Sequence, residues 1–250
     1  MQSAFKTDVG QLRAHNEDNG GIYTREDGAV LAVVADGMGG HQAGDVASEM
    51  TNRYLSAKWE DAETLETPAS TEKWLLSTIT DVNKHLFEHA NNHSECQGMG
   101  TTIVTAVCTK QFVTIAHIGD SRGYLFNNNG FVQITTDHSL VNELVRTGQI
   151  SDEEAENHPR KNVLLRALGT EEEIKVDVST VSWEQGDYLL LCSDGLSNKV
   201  SDEEMKQVLV SEAATDVKVN QLVELANDRG GEDNITLALI HFSVEAAEDR

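Results

Sequence analysis

The run Asp36-Gly37-Met38-Gly39-Gly40-His41 follows directly on the apolar stretch Val30-Leu31-Ala32-Val33-Val34-Ala35. A β-branched run that ends in a carboxylate and then glycines predicts a buried strand whose last residue emerges at a site. The Asp36 carboxylate can offer its oxygens to a hard cation, and the glycines let the backbone come close enough for a carbonyl to join it. By itself the run fits a turn equally well, since Asp-Gly is a common turn dipeptide. The pattern repeats, however. Leu189-Leu190-Leu191-Cys192 runs into Ser193-Asp194-Gly195, and Gly230-Gly231-Glu232-Asp233-Asn234 precedes the apolar run Ile235-Thr236-Leu237. A further acidic cluster, Arg13-Ala14-His15-Asn16-Glu17-Asp18-Asn19, lies near the start. One such aspartate reads as a turn or cap. Several focused at strand ends cannot share a small space ionised unless cations neutralise them. Oxygen ligands without paired thiolates select Mg²⁺ or Mn²⁺ over Zn²⁺.

Two other motifs compete. Gly119-Asp120-Ser121-Arg122-Gly123 fits the G-x-S-x-G nucleophile elbow, but that motif needs a helix after the turn. Tyr124-Leu125-Phe126 continues as a strand, so a hairpin turn is expected here. His85-Leu86-Phe87-Glu88-His89 fits an inverted zinc-peptidase motif on a helix. No third zinc ligand is marked, and solvated flank histidines are expected. Neither a phosphate-binding P-loop nor an EF-hand loop occurs.

These groups need a scaffold. Strands are expected at 3–9, 30–35, 101–108, 112–118, 122–126, 131–135, 174–181, 188–192 and 234–242. Helices are expected at 43–58, at 70–91 with Leu75, Ile79, Val82, Leu86 and Ala90 on one face, after Ser201, and at 216–228. Residues 59–69 read as an acidic loop, and Asn127-Asn128-Asn129-Gly130 as a turn. Residues 138–165 form a small helical excursion with a capping box at Ser151-Asp152-Glu153-Glu154. Strands cluster and helices come in pairs, which points to an α+β architecture with antiparallel sheets and helices outside.

No Ser/Gly/Pro-rich linker divides the 250 residues, so a single domain over 1–243 is expected, followed by a polar, frayed tail at 244–250. The 42 acidic residues against 19 basic give a net charge of −23, which opposes binding to nucleic acid or anionic lipid. Cys96, Cys108 and Cys192 form no C-x-x-C, so a reducing, cytoplasmic setting fits. Residues 1–6 carry no signal-peptide core, and no stretch has ~18 apolar residues for membrane insertion. Without an exposed apolar stripe, a monomer is expected.

The chain resembles the metal-dependent type 2C (PPM) family of Ser/Thr protein phosphatases over residues 4–242. The resemblance rests on Arg13-x-x-Asn16-Glu17-Asp18, Asp36-Gly37-Met38-Gly39-Gly40, Gly98-Met99-Gly100-Thr101-Thr102, Ile118-Gly119-Asp120-Ser121-Arg122, Thr136-Asp137-His138-Ser139, Ser193-Asp194-Gly195 and Gly231-Glu232-Asp233-Asn234-Ile235-Thr236, in that order. Gly98 to Thr102 and His138 to Arg146 look most like the bacterial PrpC-type branch, whose members oppose membrane Ser/Thr kinases. The resemblance implies two antiparallel β-sheets sandwiched between pairs of α-helices, with 138–165 as a flap beside the cleft. It implies a two-ion Mn²⁺ or Mg²⁺ centre in which Asp36 bridges both ions, the Gly37 carbonyl ligates one, and Asp194 and Asp233 complete the other. Asp18 and Glu17 would hold metal-bound waters, and Asp120 with Asp194 a third, weaker ion. Water activated by the cations would attack phosphorus in line, with Arg13 clamping the phosphoryl oxygens. The substrates implied are phosphorylated proteins, including a cognate Ser/Thr kinase. One position departs from the eukaryotic pattern: Met38 stands where those relatives carry a general-acid histidine. His41 is a candidate for that role, and a surface loop histidine is the alternative.

Overall fold

The computed structural model describes residues 1–39, 43–63 and 65–243. His41 and the tail at 244–250 lie outside them.

Two antiparallel sheets stack face to face. One has the order β1 (Gln2–Asp8), β11 (Ile235–His241), β10 (Tyr188–Cys192), β7 (Arg122–Asn127), β8 (Gly130–Gln133). The other has the order β2 (Asp18–Thr24), β3 (Val30–Met38), β5 (Ile103–Cys108), β6 (Phe112–Ile118), β9 (Asp177–Ser182), and the short β4 (Gly100–Thr101) pairs with the end of β3. Side-chain alternation decides the layers. Val30, Ala32 and Val34 point into the seam between the sheets with Val104, Ala106, Leu189, Leu191, Ala238 and Ile240. Leu31 and Val33 point the other way, onto Leu55 and Trp59 of α1 (Ala43–Glu60) and Leu75, Ile79 and Leu86 of α2 (Pro68–Asn92). On the far side Leu190, Cys192, Leu237 and Leu239 meet Met205 and Leu209 of α6 (Asp202–Val210) and Leu222 and Ala226 of α7 (Thr215–Asp228). The result is helix pair, sheet, sheet, helix pair, the α+β sandwich expected. Because both faces of β3 are covered, its sequence is a continuous apolar run rather than an alternating one.

The expected face of α2, Leu75 to Ala90, is buried, and the helix starts two residues before the expected 70. Thr67 caps it with Pro68 in the first turn, a start signal inside what the sequence presents as an acidic loop. The strand β2 is an addition. Asp18-Asn19-Gly20-Gly21 is turn-type composition, yet it pairs in register with Val33 to Asp36 because β3 offers an open edge.

The expected hairpin at Gly119-Asp120-Ser121 is overturned. Ile118 pairs with Ile103 in one sheet and Arg122 with Cys192 in the other, so these residues carry the chain across the seam. Local sequence marks a tight turn but not which sheet receives the next strand.

The flap consists of α3 (Leu140–Arg146) and α4 (Asp152–Glu156), the latter starting at the Ser151–Glu154 capping box. Its ends are zipped together: Leu140 N–H donates to Val163 O at 2.8 Å and Leu165 N–H to His138 O at 2.8 Å. Neither flap helix has a buried residue, so the neck bonds and loops hold it in place.

Leu31→Ala, at a position with no exposure, is expected to cost about 2–5 kcal/mol in urea unfolding. The exposed Leu76→Ala on α2 is expected to stay within about 0.5 kcal/mol.

Candidate active site

The strand β3 delivers Asp36 at the end of its buried run, opposite Asp18 on β2. Its backbone is pinned on both sides. Asp36 O accepts from Thr102 N–H at 2.8 Å and from the Thr101 hydroxyl at 2.8 Å, while Asp36 N–H donates to Thr102 Oγ1 at 3.1 Å. Gly37 N–H donates to Glu17 O at 3.1 Å. A Cβ on Gly37 would sit 2.1 Å from Gly44 O and 2.5 Å from Glu17 O, so only glycine lets α1 and the Glu17 loop close over this residue.

Asp194 opens the single turn α5 (Asp194–Ser197) directly after β10, and its carboxylate meets that of Asp36. The next residue, Gly195, has the same constraint as Gly37: a Cβ there would lie 2.0 Å from Asn234 O. This close approach brings the loop before β11, with Asp233, against the end of β10. Asn234 organises that loop. Its Oδ1 accepts from Glu17 N–H at 2.8 Å, and its Nδ2 donates to Val9 O and His15 O at 2.9 and 3.0 Å. Ser193 Oγ donates to Asp18 Oδ2 at 2.8 Å and accepts from Thr236 N–H at 3.0 Å.

Carboxylates from distant parts of the chain therefore crowd one small space, with Asp18 buried and the others half-buried. Burial, then the charges of Asp18, Asp194, Asp120 and Asp233, push Asp36 well above the ordinary carboxylate range. Asp18 is pushed up to about 7, mainly by burial, with Asp194 and Asp233 adding and the hydroxyls of Thr236 and Ser193 opposing. Asp120 also rises to about 7, through burial and then Asp194 and Asp137. Asp194 is raised by burial and Asp233, and Glu17 chiefly by burial. Asp194 Oδ2 accepts from Asn198 at 3.0 Å, but its Oδ1 is buried with no hydrogen-bond partner. A buried orphan oxygen among mutually repelling carboxylates fits a divalent cation, and an all-oxygen donor set fits Mg²⁺ or Mn²⁺.

Arg13 stands at the rim, half exposed. Its Nη2 pairs with Asp233 Oδ2 at 2.8 Å and its Nε donates to Glu232 O at 3.3 Å. The guanidinium thus sits beside the carboxylates, within reach of an anion placed there. Asp120, on the crossing between the sheets, lines a cleft of about 600 Å³ with Asp194, Val141 and Asn142 of α3, and Lys161 of the flap. Arg122 in its wall is committed to Asp137, which takes Nη2 at 2.7 Å and Nε at 3.0 Å. Met38, paired with Gly100, has no proton to donate.

The competing motifs dissolve. Ser121 is buried with its Oγ 2.7 Å from Thr102 Oγ1, and a strand follows it. The exposed His85 leans on Tyr54, and His89 stacks on His93 at 4.0 Å. Sequence reasoning did not single out Thr101, Thr102, Ser193 or Asn234 as positioning groups. Their only local signal is membership in the motifs, because their partners lie far along the chain.

Oxygen ligands gathered in this way, with a guanidinium at their edge, suit a hydrolase that handles phosphate through divalent cations. The family model for protein phosphatase 2C matches residues 11–233. The serine/threonine phosphatase stp of Listeria welshimeri is 51% identical over 240 residues, covering 96% of this chain and 95% of that protein. The structure of Stp1 from Staphylococcus aureus superposes with a TM-score of 0.91 at 42% identity, covering 98% of this chain and 95% of that one. The catalytic domain of the phosphatase PstP, solved in complex with two manganese ions, superposes with a TM-score of 0.82 at 33% identity over 95% and 96% of the two chains. The chain belongs to the protein phosphatase 2C family, whose members are Mn²⁺- or Mg²⁺-dependent serine/threonine protein phosphatases.

The raised carboxyls tie stability to pH. A group whose folded pKa lies above its unfolded value stabilises the fold below the unfolded value, and that stability is lost as pH rises through the folded value. In EDTA the melting temperature is therefore expected to fall between about pH 4 and pH 7, the window of Asp18 and Asp120. Asp18→Asn should flatten the slope, and Mn²⁺ should remove most of it. Ser193→Ala leaves Asp18 Oδ2 without its hydroxyl donor and is expected to weaken Mn²⁺ binding about 10-fold by calorimetry.

Proposed function

We propose that the chain hydrolyses phosphoserine and phosphothreonine in proteins with water activated between two Mn²⁺ or Mg²⁺ ions, and that it reverses the work of a bacterial Ser/Thr kinase. The observation that carries this reading is the orphan Asp194 Oδ1, buried in contact range of Asp36. Asp36, the Gly37 carbonyl, Asp194 and Asp233 would hold the two ions. Asp18 and Glu17 would hold waters on those ions, and Asp120 with Asp194 would hold a third, weaker ion. When bound, the cations lower the pKa of water and offset charge on the phosphoryl group.

The protein's own groups do the rest. Arg13 is aimed by Asp233 and the Glu232 carbonyl, so its planar fork meets a phosphate without first being ordered. Thr101 and Thr102 fix the Asp36 backbone, which keeps the carboxylate from swinging away from its partners. The flap and Asp120 wall the cleft that would receive the phosphoprotein. Met38 cannot protonate the leaving alkoxide, so that proton comes from water or from His41.

The wider setting follows the same reading: one domain over 1–243, a cytoplasmic monomer, and phosphoprotein partners that include a cognate kinase. Among the described residues no helix is long and apolar enough to cross a membrane. The net charge of −23 supports a chain that does not engage nucleic acid.

Phosphate release from a phosphothreonine peptide tests the proposal. Turnover is expected with Mn²⁺, none with EDTA, a loss of at least about 100-fold in Asp36→Asn, and activity within about threefold of wild type in Ser121→Ala. Metal-independent turnover, or a loss confined to the Ser121 variant, would overturn it. Peptide binding without phosphate release would mark a binding module instead.

A further inference from the structure

At the neck of the flap, His117, His138 and Asp177 bring ligand-type atoms within 4.8 Å of one another. The two rings stack at 4.7 Å, with both histidines buried. The cluster resembles a cation site, but its hydrogen bonds describe something else. Gly119 N–H points at His138 Nδ1 at 3.2 Å. A backbone amide is an obligate donor, so Nδ1 must be the unprotonated nitrogen. His138 Nε2 faces Asp177 Oδ2 at 3.2 Å and the Arg166 Nη1 donor at the same distance. Asp177 Oδ1 is taken by the Arg166 guanidinium at 3.2 Å. The Gly119 amide and the Arg166 guanidinium thus already occupy the His138 ring and Asp177 from within the protein.

The ring instead grips a peptide. His138 N–H donates to Gly119 O at 2.9 Å while Nδ1 accepts from Gly119 N–H, so both polar groups of Gly119 are held by one residue. Gly119 has φ +102°, and a Cβ there would lie 2.6 Å from Thr102 Cγ2. The residue has a single packed arrangement, and Asp120 follows it directly. His138 O accepts from Leu165 N–H at the other end of the flap. Asp177 and Arg166 set the ring's orientation from the outside.

We propose that His138 is a positioning residue: by clamping Gly119 through Nδ1 it aims Asp120 into the cleft and joins the weak cation position to the neck of the flap. This rests on the assignment of Asp120 to a third, weaker ion made above. The chemistry predicts an asymmetry between two conservative replacements. Asparagine places an amide oxygen near the position of Nδ1 and can still accept from Gly119. Glutamine places its amide near Nε2, can reach Asp177, and leaves Gly119 N–H buried without a partner.

Mn²⁺ binding to the full chain, followed by electron paramagnetic resonance of the free ion, tests this with Mn²⁺ as the probe. His138→Gln is expected to weaken the weakest class of bound Mn²⁺ by about 10-fold and to leave the tighter ions within about twofold. His138→Asn is expected to stay within about twofold of wild type in both classes. Equal losses in the two variants, or none in His138→Gln, overturn the inference, because bulk packing would not distinguish them. Asp177→Asn, at a half-exposed carboxylate, provides a second test in a background that folds: a weakest class shifted by about threefold supports the inference and an unshifted one counts against it. Asp36→Asn and Asp120→Asn separate the layers of the argument. Tight binding unchanged in Asp36→Asn refutes the two-ion assignment itself. Weak binding unchanged in Asp120→Asn refutes the third position and with it the role of His138.

Discussion

Asp36 and Asp194 lie half-buried beside each other, and Asp18, Asp120 and Asp233 add their charge from close by. Repulsion in a desolvated space is the condition the rest of the structure has to meet. Burial alone drives these groups toward their neutral forms, and each neighbour drives them further. A divalent cation reverses that sign, since oxygens that repel one another as anions become a ligand set around it. On the function proposed, cation binding and phosphate chemistry draw on the same crowding that the fold has to accommodate.

The groups that hold the carboxylates in place are mostly neutral. Thr101 and Thr102 fix Asp36, Ser193 fixes Asp18, and Asn234 ties the Glu17 loop to the start of β11. Hydroxyls and amides give direction without adding charge, so they orient the carboxylates without neutralising them. Close backbone contacts at Gly37 and Gly195 do the same for the loops. Positive groups stay at the edge: Arg13 is half exposed, and Arg122 is spent on Asp137.

The flap follows another logic. Its two short helices have no buried residue, in contrast to the continuous cores under α1, α2, α6 and α7. Few buried contacts place such an element at the low end of local stability. Its registration with the cleft comes from the neck, where the peptide bonds of His138 meet Gly119 and Leu165. The flap is thereby tied to the same turn that carries Asp120.

Much of this was legible in order along the chain. Continuous apolar runs at 30–35 and 188–192 read as strands, and the spacing of Leu75, Ile79, Val82, Leu86 and Ala90 gave α2 its buried side. The recurrence of Asp-Gly or Glu-Asp beside such runs marked Asp36, Asp194 and Asp233, because hydrophobic burial and a carboxylate at its end are local facts. Other features depended on partners remote in sequence. Gly20-Gly21 became a strand because β3 had a free edge. Gly119 to Ser121 bridges two sheets rather than making a hairpin, since pairing is decided by which edge is open. The roles of Thr102, Ser193, Asn234 and His138 exist only across long stretches of chain. The sequence by itself determined which residues are apolar, acidic or free to turn. The tertiary structure decided which of them meet, because repulsion, close approach and hydrogen-bond direction act through space and leave no periodic trace along the chain.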